Sequence, residues 1–546
     1  MRLSLAITAS IFAISLTAHA ETDSGGVVFT EQGWNAALRD QFYYTPQGSH
    51  LMPADWFAVL EQPPGMGRFG DPEFLKKYGF IEPDGVSDLN TEGYPIGVAT
   101  DAATNHVGLT CAACHTANVE VGGELVRIDG APGHLDFDAF FRDLALAVRL
   151  TLLDEKRFER FAAALGQTTP DGAAQLKAEL AAFDTKITAE AVLRRPTLAS
   201  GYGRVDALTQ IVNSLAVRDQ EKPVNLYPVA APTSYPALWL TPELEFVQWN
   251  PIASSPIARN GGQVLGVFGN TNLSRDAGEQ AFSSTMLLSE LHEMEEWLTM
   301  LEPPKWDEGR MGAIDEELAE QGEALFSANC SGCHNMAPYE RTDPADNHFG
   351  KTFVKIGRIP FWKVGTDDVY SRSLLVRQIV TNETTAALFE GATAVPAIAF
   401  FGGAVSASVQ RAMDDAQLSL EQKVALNGFR FQTDESGNPV PYEVPRFDGL
   451  KAGPLAGVWA TGPYLHNGSV PTVYELLSPQ EGRRKVFWTG GRELDTVALG
   501  YNSDAAPGRF RFDTALPGNG NQGHYYPPAG FNHIERMAVI EYLKTQ

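Results

Sequence analysis

The cysteines of the chain fall into two copies of one short motif, and each copy ends in a histidine. The copies are Cys111-Ala112-Ala113-Cys114-His115 and Cys330-Ser331-Gly332-Cys333-His334. Two thiols at this spacing can form thioethers with the vinyl groups of a haem, and the adjoining histidine can bind its iron. The sequence therefore predicts two covalently bound c-type haems, with His115 and His334 as proximal iron ligands.

Two other uses of these cysteines explain the pattern less well. Disulfide bonds within each Cys-x-x-Cys loop would suit an exported protein, but they give no role to the histidines. A zinc site would require two motifs that are far apart in the sequence to meet in space, and it would not need both histidines. Haem attachment accounts for every cysteine and for both histidines.

The N-terminal residues 1–20 have the features of a secretory signal peptide. Arg2 is followed by an apolar stretch from Leu3 to Leu16 and then by Ala18-His19-Ala20, a pattern that signal peptidase cleaves. The apolar stretch is shorter than the roughly 20 residues that a membrane-spanning helix needs. We therefore expect cleavage near Ala20, a periplasmic or secreted protein, and no stable membrane insertion.

The whole chain has the composition of a large acidic globular protein. Of its 546 residues, 44% are hydrophobic and 20% are charged, and the formal net charge is −25. This acidity argues against nucleic acid as a partner, because the phosphate backbone would repel the protein. The length exceeds what one hydrophobic core normally serves, so more than one domain is expected.

Helical patterns dominate the segments around the motifs. Amphipathic spacing predicts helices over Asp136–Leu152, Arg157–Leu165 and Ala173–Phe183, and a further helix over Ile314–Ala328 that delivers Cys330. Strand-like alternation is scarce. We therefore predict a mainly α fold with long irregular loops, in which two cytochrome c-like haem domains pack together.

A break in the middle of the chain predicts the domain boundary. The amphipathic run Leu287–Leu301 is followed by Pro303-Pro304 and then by Gly309 and Gly312, which interrupt a helix. We place the boundary near residue 310. Residues 21–310 would form the domain with the first haem, and residues 311–546 the domain with the second.

The segment Lys451–Leu477 resembles a known family signature. It reads KAGPLAGVWATGPYLHNGSVPTVYELL and is similar to the signature of the bacterial dihaem cytochrome c peroxidase superfamily, with the rubber oxygenases and dihaem fatty-acid dioxygenases as the most similar branch. The resemblance implies a haem oxidoreductase. Shorter stretches that suit the same family are Tyr44–Gly48, Val107–Thr110, Ala258–Asn260, Gly266–Phe268, Glu296–Leu298 and Gly523–Tyr525.

The resemblance also implies how the second haem is completed. In the oxygenase branch this haem carries two histidines, and His524 is favoured as its distal ligand, with His466 as the second choice. Tyr464, beside His466, would help to form the haem pocket. Tyr464 and Tyr525 stay open as ligands, because a tyrosine has this role in a related maturation enzyme. Peroxidases use methionine, but the next methionine after His466 is Met537.

The first haem would then have an open face at which chemistry occurs. The resemblance implies an apolar distal pocket lined by aromatic side chains, and Trp249 and Phe268 are the nearest matches. Aromatic residues in this segment can equally well form ordinary core. The main expectation is that dioxygen, activated at the first haem, oxidises an unsaturated lipid or isoprenoid, while the second haem transfers electrons.

Two other functions fit the same motifs. One is the reduction of hydrogen peroxide with electrons from a small electron-donor protein. This reaction needs an acid or base over the open iron, for which Glu120 and Glu124 are candidates. Alternatively, both irons are six-coordinate and the protein is a non-catalytic electron carrier. A calcium ion, which some relatives hold between their haems, is possible but unsupported, since no acidic cluster is diagnostic.

Overall fold

The computed structural model describes residues 26–254, 256–426, 431–441 and 447–546. The predicted signal peptide lies outside these residues. Within the described ranges, the helices are too short or too polar to cross a lipid bilayer.

Helices account for 41% of the structure and strands for 15%. The α-helices, α1 to α18 in chain order, are Ala36–Tyr44, Ala54–Val59, Pro72–Leu75, Phe137–Leu153, Glu155–Ala164, Pro170–Leu193, Ala207–Asn213, Pro256–Gly266, Leu288–Thr299, Glu308–Met311, Glu316–Asn329, Phe361–Val364, Val369–Val376, Glu383–Ala386, Ala397–Asp415, Leu420–Leu426, Val473–Leu476 and His533–Lys544.

The strands are short and form several small sheets. In chain order, β1 to β18 are Val27–Phe29, Met52–Pro53, Val98–Asp101, His106–Leu109, Thr116–Val121, Glu124–Asp129, Arg204–Val205, Thr233–Ser234, Gly357–Pro360, Gln378–Val380, Ala394–Pro396, Phe431–Thr433, Pro439–Pro441, Gly449–Ala452, Val486–Thr489, Leu494–Asp495, Gly500–Tyr501 and Phe510–Asp513.

The prediction of a mainly α fold is wrong, because β-sheets flank the first motif. Strands β2, β4 and β3 form an antiparallel sheet that ends just before Cys111. Strand β6 pairs with β1 in parallel and with β5 in antiparallel, and β5 begins directly after His115. The β5–β6 hairpin turns at Gly122-Gly123, whose positive φ angles suit a tight turn. Strands this short carry too little alternation to stand out in the sequence.

The expectation of two cytochrome c-like haem domains packed together is also wrong. The largest hydrophobic core combines Trp34 and Val119 from the first half of the chain with Trp459 and Tyr542 from the second. Another core joins residues 208–294 to residues 370–413. Since these cores draw on both sides of residue 310, neither motif is enclosed by a small domain of its own. The boundary near residue 310 stays a prediction.

The helices expected around the motifs are confirmed as α4, α5, α6 and α11. Helix α11 packs against the C-terminal helix α18 at Gly322, where an added Cβ would lie 1.9 Å from the carbonyl oxygen of Ala538. The helices can approach closely only because Gly322 has no side chain. Helix α11 ends at Asn329, and the Cys330 N–H still donates to the Phe326 carbonyl at 2.8 Å. The second motif is therefore anchored on a helix end.

The first motif instead occupies a short turn between two sheets. The Thr110 side chain accepts a hydrogen bond from the Ala112 N–H at 3.3 Å, and its backbone N–H donates to the Gly97 carbonyl at 2.9 Å. Gly97 has a φ of +86°, and an added Cβ would lie 2.1 Å from the nitrogen of Ala113. The turn that carries Cys111 thus packs directly against the backbone of Gly97, where any other residue would be strained.

We expect Gly97→Ala to lower the free energy of unfolding by about 3 kcal/mol, because a left-handed alanine and an overpacked contact each cost about 1–2 kcal/mol. Urea denaturation of the purified protein measures the change. Gly85→Ala is the matched control, since an added Cβ there meets nothing within 4 Å. Equal unfolding midpoints for the two variants would contradict this account of the turn.

Candidate functional site

Both motif histidines use the same nitrogen for the same contact. Nδ1 of His115 lies 2.8 Å from the carbonyl oxygen of Pro236, and Nδ1 of His334 lies 2.9 Å from that of Gly453. A carbonyl oxygen only accepts, so each Nδ1 carries the proton and donates. Nε2 of each ring is left with a free electron pair for a metal.

Burial keeps these imidazoles in the metal-binding form. Burial lowers the pKa of His115 to about 4, although its hydrogen bond to Pro236 opposes the shift. The pKa of His334 is lowered in the same way, against its hydrogen bond to Gly453. Neutral imidazole is the form that binds iron, so both rings fit the role of proximal ligand.

A cavity of about 510 Å³ lies over the second motif. Cys330, Cys333 and His334 line it, together with a largely apolar wall that includes Leu450 and Val473. This volume is in the range of cofactor-binding cavities. The cavity thus brings both thiols and the imidazole of one motif to a space that suits a haem.

His524 faces His334 across this cavity. The centres of the two rings are 6.1 Å apart, and the ring planes are inclined by 69°. A metal ion between the two rings would be bound by two nitrogen–metal bonds of about 2 Å each, and each nitrogen lies about 1 Å from its ring centre. These lengths add up to about the observed distance between the ring centres. Burial, followed by the neighbouring His334 and Arg483, lowers the pKa of His524 to about 4. The pair therefore fits an iron between them.

The backbone that carries His524 is held by close packing and by one arginine. Gly523 has a φ of +72°, and an added Cβ would lie 2.4 Å from the carbonyl carbon of Gly365. Arg483 is 3% exposed and donates to the carbonyl oxygens of Asn521, Gly523 and His524 at 2.5, 2.8 and 3.2 Å. Arg483 is thus a positioning residue for His524.

His466 and Tyr464 line the same cavity but make different contacts. The Tyr464 hydroxyl donates to the Val458 carbonyl at 3.3 Å. Burial, followed by the charge of Arg204, lowers the pKa of His466 to about 3. Nδ1 of His466 is buried and has no partner among the described residues. Both residues therefore lie in the wall of this cavity, whereas Met537 is not part of it.

The two aromatic residues predicted for the first haem lie in different places. Trp249 lines the cavity over the second motif, and its Nε1 donates to the Ser234 carbonyl at 2.9 Å. Phe268 is 5% exposed and packs against Phe141, with ring centres 4.9 Å apart. The structure therefore does not bring Trp249 and Phe268 together on one pocket wall.

A buried ion pair near the first motif escaped sequence reasoning. Arg259 of α8 binds Oε1 of Glu295 on α9, and Asn260 donates to the same oxygen at 2.7 Å. Oε2 of Glu295 is buried without a partner among the described residues. Burial, and then the charge of Glu295, raise the pKa of Cys111. Nothing in the spacing of these residues singles them out.

The surface acids predicted as proton donors are less suitable. Glu120 and Glu124 are both exposed on the β5–β6 hairpin, and Glu124 forms an ion pair with Arg310 at 3.1 Å. For calcium, the described residues contain no group of three or more histidine, cysteine or acidic side chains arranged around one point.

The two motifs differ in exposure. Ala112 and Ala113, between the cysteines of the first motif, are 2% and 7% exposed. Ser331 and Gly332, at the same positions of the second motif, are exposed. One edge of a haem at the second motif would therefore lie near the surface, whereas the two residues between the cysteines of the first motif are covered by protein.

Comparison with known proteins identifies related sequences. Residues 449–489 match the family model described as RoxA-like, cytochrome c-like, a segment that includes Gly453, Tyr464, His466 and Arg483. This match supports a c-type cytochrome oxidoreductase. The chain is 32% identical to uncharacterized protein y4iJ of Sinorhizobium fredii (strain NBRC 101917 / NGR234), across 98% of this chain and 95% of y4iJ. It is also 26% identical to uncharacterized protein y4iM of the same strain, across 64% of this chain and 72% of y4iM.

We expect Arg483→Met to release the backbone of His524 and, when a haem is bound at the second motif, to raise the high-spin fraction of that haem. The electronic absorption spectrum of the purified protein measures this fraction. Arg484→Met is the matched control, because Arg484 is partly exposed and its guanidinium pairs with Glu475 at 2.6 Å. Identical spectra for the two variants would contradict the positioning role of Arg483.

Proposed function

Because the chain belongs to the same family as y4iJ of Sinorhizobium fredii and carries a RoxA-like cytochrome c segment, we propose that it is an exported oxidoreductase with one c-type haem at each Cys-x-x-Cys-His motif. His115 and His334 are the proximal ligands. The first haem site is the reactive one, and the second transfers electrons to it.

The observation that carries this division is the difference between the two histidines. His334 faces a second imidazole, that of His524, at 6.1 Å. The ring that contacts His115 among the described residues is Tyr235, at 6.1 Å, and no imidazole does so. A haem with two histidine ligands is saturated, whereas one with a single strong ligand keeps a face open for a substrate.

The exposure of the motifs supports the same assignment. Electrons from a small electron-donor protein would enter where Gly332 reaches the surface. The buried Ala112 and Ala113 instead help to exclude water from the first site, which favours oxidation of an apolar substrate over side reactions. When bound there, a haem supplies the chemistry with dioxygen. We propose an unsaturated lipid or isoprenoid as the substrate, after the resemblance to rubber oxygenases and fatty-acid dioxygenases.

Peroxide reduction is the second candidate function, and Glu295 favours it. This reaction needs a group that moves a proton between the two oxygens of the peroxide. Glu295 is 6% exposed, its charge acts on the pKa of Cys111, and its Oε2 has no hydrogen-bond partner among the described residues. The pairing of its other oxygen with Arg259 and Asn260 would hold it in place.

We expect the purified protein to carry two haems per chain and to show both low-spin and ligand-exchangeable haem. His524→Ala should convert the second haem to a high-spin form, because it removes one of two axial ligands. The pyridine haemochrome assay and the electronic absorption spectrum measure these quantities. His533→Ala is the control, since His533 lies at the surface beside Tyr474. A wild-type spectrum with low-spin haem alone would favour the electron carrier.

Glu295→Gln separates the two enzymatic functions. For a peroxidase, we expect loss of the proton-transferring carboxylate to lower kcat for peroxide by about 100-fold or more. For a dioxygenase, oxygen uptake with an unsaturated fatty acid or polyisoprene should persist. Glu120→Gln is the surface control. Absence of oxygen uptake with every alkene tried, together with rapid peroxide consumption using a reduced cytochrome, would overturn the dioxygenase proposal.

A further inference from the structure

Behind the cavity over the second motif lies a group of buried polar side chains with unused hydrogen-bonding atoms. These atoms are Nε and Nη1 of Arg204, Oγ of Ser234, Oγ1 of Thr366, Nδ1 of His466 and Oδ1 of Asn467. Each is buried, and none has a partner among the described residues. Protein interiors leave few polar atoms unpaired, so this concentration indicates a polar group that binds here.

Arg204, Ser234 and His466 lie close together. A Cβ added to Gly468 would lie 2.6 Å from Oγ of Ser234 and 3.5 Å from Cδ of Arg204. The Ser234 N–H donates to the carbonyl of His466 at 2.9 Å. Ser234, Thr366 and His466 also line the cavity. These three lining residues therefore give the largely apolar cavity a polar part of its wall, and Arg204 adjoins it at Ser234 without lining the cavity itself.

Arg204 gives this end a positive charge that no acid neutralises directly. It is 2% exposed and makes no ion pair with the described residues; its Nη2 donates to the amide oxygen of Asn519 at 2.8 Å, and its guanidinium lies 4.4 Å above the Phe512 ring. The nearby carboxylate of Asp367 does not pair with Arg204. It accepts hydrogen bonds from the backbone N–H groups of Gly518 and Gly520 at 3.0 and 3.2 Å.

Several other buried arginines of this protein are paired with carboxylates, although Arg377 and Arg483 bind only amide or carbonyl oxygens. Arg127 binds Asp84 at 3.0 Å, and Arg194 binds Glu190 at 2.7 Å. A buried charge without a partner is costly, and burial lowers the pKa of Arg204 to about 9. The missing partner of Arg204 is therefore expected to be an anion.

We propose that Arg204 binds a propionate carboxylate of the haem held by Cys330, Cys333 and His334. The proposal rests on haem binding at the second motif. The thioether bonds and the propionates of a c-type haem lie on opposite edges of the porphyrin. Because the thiols lie beside the exposed Gly332, a haem bound here would have its propionate edge on the inner side of the cavity, where Ser234 and Arg204 would hold it.

The neighbouring side chains complete a carboxylate site. The hydroxyls of Ser234 and Thr366 can each donate to a carboxylate oxygen, and the guanidinium can donate from both Nε and Nη1. Such charge-assisted bonds would use four of the six unpaired atoms. Arg204 would also stabilise the ferrous haem, because a nearby positive charge favours the state with one more electron.

Lys451 is the main competing cation. It also lines the cavity and makes no ion pair with the described residues. Its ammonium lies near Arg259, and burial, followed by that charge, lowers its pKa to about 8. Nε and Nη1 of Arg204 are buried without a partner among the described residues, whereas Nζ of Lys451 is not one of the atoms in that condition, so the need for an anion is greater at Arg204.

The test compares Arg204→Gln with Arg377→Gln in the haem-loaded protein. Arg377 is another buried arginine whose Nε is unpaired among the described residues, but its Nη2 donates to Oδ1 of Asn213 and to the carbonyl oxygen of Asn225, neither of which lines the cavity. We expect Arg204→Gln to raise the ferric-to-ferrous ratio of the low-spin haem at least threefold at a fixed potential. At 59 mV per tenfold change, this corresponds to a midpoint potential lowered by about 28 mV. The propionate-bending band in the resonance Raman spectrum should also shift. Arg377→Gln should change neither.

Each outcome decides the proposal. An unchanged potential and Raman band in Arg204→Gln would overturn it, as would a shift seen only in Lys451→Met. If the Arg204→Gln protein does not fold in sufficient yield, the same measurements are made on Arg204→Lys and Ser234→Ala. An unchanged Raman band in both of these variants would overturn the proposal. A wild-type protein with fewer than two haems per chain would instead contradict the proposed function, so the two failures are distinguishable.

Discussion

The arrangement of both motifs depends on the same kind of hydrogen bond. In each motif, the histidine donates from Nδ1 to a backbone carbonyl far along the chain. The acceptors lie 121 positions after His115 and 119 positions after His334. Without these acceptors the rings could rotate or protonate, and Nε2 would lose its fixed direction. The intervening chain must therefore fold so that Pro236 and Gly453 arrive at the right places. This requirement explains why the cores join segments that are distant in sequence.

One segment, residues 234–239, serves both sites. Its Pro236 holds His115, while Ala237 and Trp239 line the cavity over the second motif. Nε1 of Trp239 donates to the carbonyl of Ala456, next to the segment that holds His334, at 2.7 Å. The two motifs thus share a wall, and a change in this segment would act on both. Such sharing is hard to reconcile with two independently packed haem domains.

The sequence was informative where the signal is local. The Cys-x-x-Cys-His spacing identified both motifs, and the 3.6-residue period located helices such as α4 and α11. Short strands such as β7 and β8 carry no comparable period. Resemblance alone singled out His524, which the structure brings opposite His334. Arg204 and Glu295 could not be found in this way, because their burial and missing partners exist only in the folded chain.

The contact between Gly365 and Gly523 has a consequence for how this family can diverge. An added Cβ on Gly523 would lie 2.4 Å from the carbonyl carbon of Gly365 and 2.4 Å from the carbonyl oxygen of Val364. A homologue that keeps His524 but replaces Gly523 would have to move the backbone, and the imidazole with it. Evolutionary retention of the histidine is therefore a poor guide to shared iron coordination. Retention of Gly523 beside this histidine is the better indicator that a homologue coordinates iron in the same way.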